Sequence, residues 1–531
     1  MIAAGRPGRG ATSDARGDSP ARPILWTAAE AALATQGEAR PDAWQASGVS
    51  IDTRTLEAGD LFVALKGPRR DGHAFVADAF KRGAAAAVVT RVPEGVMPPG
   101  MPAHDGPGAA LLRVADTQAA LEGLGRGGRA RTDARIAAVT GSVGKTGVKE
   151  ALRHVLSRQG VTTASAGSFN NRWGVPLSLA RMPRDAAFGV FEIGMNHAGE
   201  ITPLVKMVRP NVAVVTAIAP VHVEFFPSLE AIADAKAEIF FGVETGGAAV
   251  LPAESPYFAR LVASARAAGI ERIVAFGEVD RPEVSVRARA FELHADGSTV
   301  EADIAGLAIA YRLRLAGRHW VANSLAVLAA VHALGADVTA AAAALADVSP
   351  MKGRGVRHRV AVGAGNFLLI DESYNASPAS MAAAIATAGA VAPGPGGRRI
   401  AVLGDMLELG AESDAHHARL SGPLQAARFD LVFTAGAHMA ILARTLPPAM
   451  QGGHAESAMS LAPLVAQALR PGDVVMVKGS AGSRTGAIVA ALLAPGGGRP
   501  NPGPGGKFAA GSNDWGASAP GPKPAKAANG A

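Results

Sequence analysis

The feature that most restricts this chain is a seven-residue segment, Thr140, Gly141, Ser142, Val143, Gly144, Lys145 and Thr146. It follows an apolar run, Ile136 to Thr140, that reads as a buried strand, and it precedes a helix-compatible stretch from Thr146 to Gln159. Strand, glycine turn and helix in that order open an α/β domain. The glycines let backbone N–H groups point inward around phosphate oxygens, and the helix that follows presents its positive end to the same anion. Lys145 adds a point charge near the β and γ phosphates, while the Thr146 hydroxyl is able to ligate Mg²⁺. The segment specifies a nucleotide and leaves its reaction open.

A chain of 531 residues is too long for one core, and at about 100 to 200 residues per domain it divides into roughly three. The net charge of +7 suggests nucleic acid until it is located. Residues 1–23 carry +2 and residues 495–531 carry +3, which leaves +2 on everything between. No nucleic-acid groove is expected from so weak a balance. There is no cysteine, so disulfides, thiolate metal sites and a cysteine nucleophile are excluded. Neither a secretory signal nor an apolar run long enough to span a membrane is seen, and a cytoplasmic protein without membrane insertion is the expectation.

Both ends, 1–23 and 495–531, are rich in Gly, Pro, Ala and Ser with few large apolar residues, and they are expected to be disordered tails. Pro93 to Gly108 reads as a surface loop, and Glu122 to Arg135, with its clustered Gly and Arg, as the approach to a second unit. After the phosphate segment, Val212 to Thr216 and Ala248 to Leu251 read as strands and Leu229 to Phe241 as a helix. Phe367 to Ile370, Ile400 to Leu403, Leu431 to Thr434 and Val474 to Val477 repeat the alternation in a third unit. The fold class is α/β, with mostly parallel sheets.

Three polar residues stand out against apolar surroundings. Glu192 ends the run Phe188 to Phe191, where ligands of parallel sheets bind, so its carboxylate is either a Mg²⁺ ligand beside Thr146 or a satisfied strand-end acid. His222 lies just beyond the strand Val212 to Thr216, and Lys236 sits in a helical stretch of mostly Ala and Ile. Each is open to a functional or a structural reading.

Longer segments carry a specific likeness. SIDTRTLEAGDLFVALKGPRRDGHAF (50–75), TGSVGKT, SFNNRWGVPLSL (168–179), EIGMNHAGEI (192–201), APVHVEFFPSLEAIADAKAEIF (219–240), GRHWVANSLAVLAA (317–330), DESYNASP (371–378), LGDMLELG (403–410) and VKGSAGSRT (477–485) together resemble the Mur ligases. The likeness extends from about Ser50 to Arg484 and implies three domains. These are a UDP-substrate domain at 24–130, a central P-loop ATPase domain at 131–349 and a Rossmann-like C-terminal domain at 350–494 that receives the incoming amine.

Within the family the segments look most like the branch that joins D-alanyl-D-alanine to UDP-N-acetylmuramoyl-tripeptide. That likeness implies ATP and two Mg²⁺ ions, a place in peptidoglycan synthesis for the cell wall, and a monomer. It also implies roles residue by residue. Asp52, Thr53, Arg54, Asp71, Gly72 and His73 hold the UDP end. Lys145, Asn171, His222 and Lys236 are catalytic, with Asn170 beside Asn171 near the γ-phosphate. Thr146, Glu192, His222 and Lys236 serve metal, Lys236 after carbamylation by CO₂. The loop 140–146, Asn323, Arg354, Arg357, Asp371 and Tyr374 bind ATP. The sequence departs from the family pattern at Gly147, where a second threonine is usual, at Trp320 in place of an asparagine, at Glu372 in place of an aspartate, and at Ala481 and Gly482.

The sister ligase that adds a diamino acid carries an Asp-Asn-Pro-Arg signature, which is absent here. Folylpolyglutamate synthase shares the ATP loop but not the UDP-type first domain. A GTP switch would carry Asn-Lys-x-Asp, also absent.

Overall fold

A computed structural model describes residues 22–93, 96, 109–221 and 223–494. The expected surface loop Pro93 to Gly108, apart from Pro93 and Val96, lies outside the described residues, as do the tails. Arg22 and Pro23 are the exception at the N-terminal end: Arg22 pairs with Asp60 at 2.9 Å and with Glu57 at 2.5 Å, so this end of the expected tail is tied to the first sheet.

Three larger sheets succeed one another along the chain. The first has five strands in the order Glu38–Arg40, Leu111–Arg113, Ala86–Val89, Asp60–Val63, Gly48–Ser50, parallel except for the first pair. The central sheet has nine, in the order Leu307–Leu313, Gly297–Ile304, Val284–His294, Arg272–Gly277, Ala248–Pro252, Val212–Val215, Arg135–Thr140, Phe188–Glu192, Thr162–Ala164. Its last seven strands are parallel, and the hairpins at 284–313 extend it antiparallel. The third has six strands, all parallel but for the edge strand Val356–Val362.

Both faces of the central sheet are covered, as a parallel sheet requires. On one face the helices Lys145–Ser157 and Arg318–Ala333 bury Val148, Leu152, Val155, Val321, Leu325 and Leu328. On the other lie Gly174–Ala180, Ile201–Val208 and Leu229–Ala237. The chain leaves Arg135–Thr140 for the sheet edge at Thr162–Ala164, returns to its one side with Phe188–Glu192, then crosses to its other side with Val212–Val215. Strand order reverses at Arg135–Thr140, and the crevice beyond such a strand's carboxyl end is where ligands of open α/β sheets bind.

The Gly- and Arg-rich stretch after Glu122, which reads in the sequence as the approach to a second unit, is helical as far as Ala130. It belongs to a helix, Thr117–Ala130, capped by Asp116. Its glycines bring it against the helix Gly174–Ala180: a Cβ at Gly125 would lie 2.9 Å from Pro176 Cα, and one at Gly128 would lie 2.2 Å from the Leu179 carbonyl oxygen. Arg131 continues the junction, its guanidinium 4.3 Å over the Trp26 ring and bonded to the Met182 carbonyl, while the Trp26 indole donates to the Ala180 carbonyl.

Candidate active site

A single cleft of about 4040 Å³ is lined by residues from all three sheet units. At its centre is the loop after Arg135–Thr140. Gly141 has φ +145° and a Cβ there would lie 2.0 Å from Thr216 Oγ1, while Gly144 has φ +87° and starts the helix. Thr216 fastens the loop by donating to the Val143 carbonyl at 2.5 Å, and Ser142 Oγ donates to the Ala219 carbonyl at 2.9 Å. Lys145 folds back over this cradle and donates to the carbonyls of Gly141 at 2.6 Å and Ser142 at 3.3 Å. Burial, with the nearby Arg354 cation, lowers its pKa, against the opposing pull of Glu192.

Glu192 closes its strand at the next position in the sheet and is almost fully buried. Asn170 donates to its Oε1 at 2.7 Å, whereas Oε2 has no hydrogen-bond partner among the described residues. An unpartnered buried carboxylate oxygen is costly. Lys236 is buried on the helix Leu229–Ala237, which starts at a Ser228 cap and packs Ile232, one turn earlier, into the same core. Lys236 makes no hydrogen bond or ion pair among the described residues, and burial together with the nearby Lys145 cation lowers its pKa well below that of a free lysine. His222 lies outside the described residues.

Arg354 and Arg357 go to different places. Arg354 donates to the Thr146 hydroxyl at 3.2 Å and stacks over the Tyr374 ring at 4.1 Å, so it reaches the phosphate loop. Arg357 also lines the cleft, with its guanidinium bonded to the Ala295 carbonyl in the 294–297 turn. Asp371, expected to touch ATP, is buried with both oxygens engaged: Oδ2 accepts from Gly353 N at 3.1 Å, Oδ1 from Ser373 Oγ at 2.6 Å. It fixes the turn that carries Arg354. Asn171 lines the cleft, and its Oδ1 accepts from Gly174 N at 3.0 Å at the start of the helix Gly174–Ala180. Asn323 lines the cleft beside Gly144.

At the far end, Asp52 and Arg54 line the cleft, paired at 2.7 Å, and hydrogen bonding from Arg54 lowers the Asp52 pKa. Thr53, Asp71, Gly72 and His73 do not line it. His73 has both ring nitrogens engaged inside the protein, Nδ1 with Asp71 at 2.6 Å and Nε2 accepting from Thr90 N at 2.9 Å, so it buttresses the rim.

Consecutive stretches of the chain match three related family models: residues 45–129 the Mur ligase family catalytic domain, 139–331 the Mur ligase middle domain, and 353–481 the Mur ligase glutamate ligase domain. The UDP-N-acetylmuramoyl-tripeptide--D-alanyl-D-alanine ligase of Escherichia coli strain K12 is 37% identical over 391 residues, covering 73% of this chain and 81% of that protein. The chain belongs to the Mur ligase family. This Mur ligase is accordingly an ATP-dependent enzyme that forms amide bonds. A protein of the same name from Rickettsia prowazekii is 31% identical over 83% of this chain and 94% of its own length. A crystal structure of MurF from Acinetobacter baumannii matches with a TM-score of 0.74 at 30% identity, over 88% of this chain and 98% of that one. MurF of Thermotoga maritima, solved with ADP, shares the fold with a TM-score of 0.66 at 24% identity over 83% and 96% of the two chains. The three-domain α/β architecture is that of these ligases.

Sequence reasoning missed several residues that shape the Mur ligase cleft. Lys149 is fully buried and donates to the carbonyls of Ser165 at 2.7 Å and Gly167 at 3.0 Å, which anchors the loop bearing Asn170. Glu238 accepts from Thr202 N at 3.0 Å and from Gly199 N at 2.5 Å and so fixes the loop of Asn196 and His197. Lys149 lies one helical turn from Lys145, a spacing that marks the same helix face. Arg69 and Arg70 line the cleft close to Asp52.

Proposed function

We propose that this Mur ligase joins D-alanyl-D-alanine to UDP-N-acetylmuramoyl-tripeptide in the cytoplasm, as a step in peptidoglycan precursor synthesis. The observation that carries the substrate assignment is the likeness, over four fifths or more of their lengths, to ligases that bear that name. The chemistry is supported by a phosphate loop that shares its cleft with Glu192, one of whose carboxylate oxygens has no partner among the described residues, and by the buried Lys236 amine close to Lys145.

We assign residues 24–130 to the UDP end of the substrate, with Asp52 and Arg54 in contact and Thr53, Asp71, Gly72 and His73 in support. Residues 131–349 bind ATP, and residues 350–494 receive the dipeptide. The tripeptide's terminal carboxylate oxygen attacks the γ-phosphorus and ADP leaves, giving an acyl phosphate. The dipeptide's amino group then attacks the acyl carbon, loses a proton, and expels phosphate as the peptide bond forms. Phosphoryl transfer asks mainly for positioning and charge neutralisation. The loop N–H groups, Lys145 and Arg354 provide that, Asn323 meets the base, Tyr374 orients Arg354, and the Asn171 amide donates toward the transferred phosphoryl oxygens.

Magnesium fits this site. Glu192 Oε2 and the Thr146 hydroxyl are hard oxygen donors, and Mg²⁺ is usually held by one or two carboxylates together with nucleotide phosphates and waters. When bound, it neutralises charge on the phosphates. Lys236 suits carbamylation: a neutral amine attacks CO₂, releases a proton and becomes an anion, which with His222 would hold a second ion. Burial next to Lys145 favours the neutral amine.

The test is phosphate release from ATP with UDP-muramoyl-tripeptide, with and without D-alanyl-D-alanine, with the product weighed by mass spectrometry. Release that needs both substrates and a mass gain of one dipeptide establishes the reading. Release indifferent to either substrate overturns it.

A further inference from the structure

The helix Lys145–Ser157 carries a second lysine that the phosphoryl transfer does not use. Lys149 is fully buried and does not line the cleft, yet all three donors of its ammonium have acceptors. It donates to the Ser165 carbonyl at 2.7 Å and the Gly167 carbonyl at 3.0 Å, and lies 2.6 Å from Glu150 Oε1. A buried charge is kept only where it is paired and hydrogen-bonded. The loop that this one holds runs straight to Glu192. Ser165, itself buried, donates its N–H to the Val190 carbonyl at 3.1 Å, and its Oγ accepts from Glu192 N at 3.0 Å. Five residues on, Asn170 donates its amide to Glu192 Oε1 at 2.7 Å, and its carbonyl accepts from Gly194 N at 2.9 Å. Gly194 permits that approach, since a Cβ there would lie 2.8 Å from Asn170 Cγ. One loop therefore grips Glu192 by backbone and side chain, and the start of that loop is fastened to Lys149. Thr146 and Lys149, three residues apart, share one face of their helix.

We infer that Lys149 is a positioning residue for the metal carboxylate: through the 165–170 loop it keeps Glu192 in register with the Thr146 hydroxyl. Two oxygen donors for one magnesium ion are then both set from the helix that binds the phosphates. A cation suits this place because it bonds two carbonyls at once, and a neutral apolar side chain of the same length would leave both buried and unpaired. Groups that hold a metal's ligands, without touching the metal, orient them, and losing one lowers metal affinity by about 10–100-fold. The inference rests on the assignment of magnesium to Glu192 proposed above and not on the identity of the acceptor, so it survives if the dipeptide assignment fails.

The experiment measures ADP binding to the full-length chain by calorimetry, over a graded Mg²⁺ series and separately in EDTA. Wild type, Glu192→Gln, Lys149→Met, Ser165→Ala and the double variant Lys149→Met/Ser165→Ala are each checked for an unchanged circular dichroism spectrum. Lys149→Met is expected to raise the Mg²⁺ concentration that half-saturates the gain in ADP affinity about tenfold, and to leave the affinity in EDTA within about twofold. Ser165→Ala cuts the loop's bond to Glu192 N without touching the lysine, and is expected to shift the Mg²⁺ requirement in the same direction. The double variant is expected to need no more Mg²⁺ than Lys149→Met within about twofold, because the two changes act on one path. Equal weakening of ADP with and without Mg²⁺ in Lys149→Met would show that the lysine merely supports the phosphate loop and would overturn the inference. So would an unchanged Mg²⁺ requirement in Lys149→Met, or additive losses in the double variant. Glu192→Gln separates this from the reading beneath it: an unchanged Mg²⁺ requirement there overturns the magnesium assignment and the inference together, whereas a raised requirement there with none in Lys149→Met overturns the inference alone. Should Lys149→Met fail to fold, Ser165→Ala decides it, a raised Mg²⁺ requirement supporting the inference and an unchanged one overturning it.

Discussion

Lys236 is a cation placed where a cation is least stable: buried, without a counter-charge among the described residues, and near Lys145. Its folded pKa is depressed, so between that value and the unfolded value the folded state binds fewer protons, and stability from this group rises with pH through that window and is lost as pH falls. Lys236→Met is therefore expected to raise the melting temperature at neutral pH by about 2–4 °C in CO₂-depleted buffer without nucleotide. The same variant, and Lys236→Ala, are expected to lose ligase activity by about 10–100-fold or more, with bicarbonate giving no rescue. Near-normal turnover in Lys236→Ala would remove the residue from the metal-binding scheme. A residue's type and setting made Glu192 and Lys236 conspicuous in the sequence, because charge amid apolar neighbours is visible without coordinates. What each polar atom is bonded to was not visible. Asp371 and His73 sit inside motifs that suggest ligand contact, yet their polar atoms are engaged by Gly353, Ser373, Asp71 and Thr90. Asp371→Ala should accordingly act through Arg354, raising the KM for ATP more than the KM for either peptide substrate in initial-rate assays.

Elements were legible in proportion to their periodicity. The strand at Ile136 to Thr140 and those at Ile400 to Leu403 and Val474 to Val477 appear within a residue of their expected ends, because buried parallel strands are continuous apolar runs. The helix Thr117–Ala130 is hard to see in the stretch Glu122 to Arg135, which reads only as the approach to a second unit, because four of the helix's fourteen residues are glycine. Glycine weakens an isolated helix, but here it permits contact that larger residues would forbid. Gly128→Val is expected to destabilise the enzyme by about 1–3 kcal/mol, the usual cost of overpacking, since even a Cβ would meet the Leu179 carbonyl oxygen at 2.2 Å. Differential scanning calorimetry reads this directly, and an unchanged melting profile would mean that the junction yields without cost. The antiparallel hairpins at 284–313 carry no motif and went unremarked; half their length is exposed, so their alternation is weak.

At the scale of the whole molecule, the third unit meets the second through few polar contacts among the described residues: Arg354 to Thr146, Arg357 to the Ala295 carbonyl, the Tyr374 hydroxyl to Ser168 Oγ, and Glu224 N to the Glu408 carbonyl. A closed cleft keeps water from an acyl phosphate. Tyr374→Phe keeps the ring beneath Arg354 and removes one hydrogen bond worth about 0.5–1.5 kcal/mol. It is expected to raise phosphate released per peptide bond formed, read by parallel phosphate and product assays. A ratio that stays at one would show that closure does not depend on this contact.

The junction between the first and second units has the opposite character. Glycine-lined helix packing, the Trp26 indole on the Ala180 carbonyl, Arg181 on the Val49 carbonyl and Arg131 on the Ala180 and Met182 carbonyls hold it closely packed. The enzyme is thus a caliper with one jaw fixed. With Asp52 assigned to the UDP end as proposed, the span from Asp52 to Glu192 is the length against which a nucleotide-linked peptide is measured. A precursor shortened by one residue would seat its UDP and leave its carboxylate short of the phosphate.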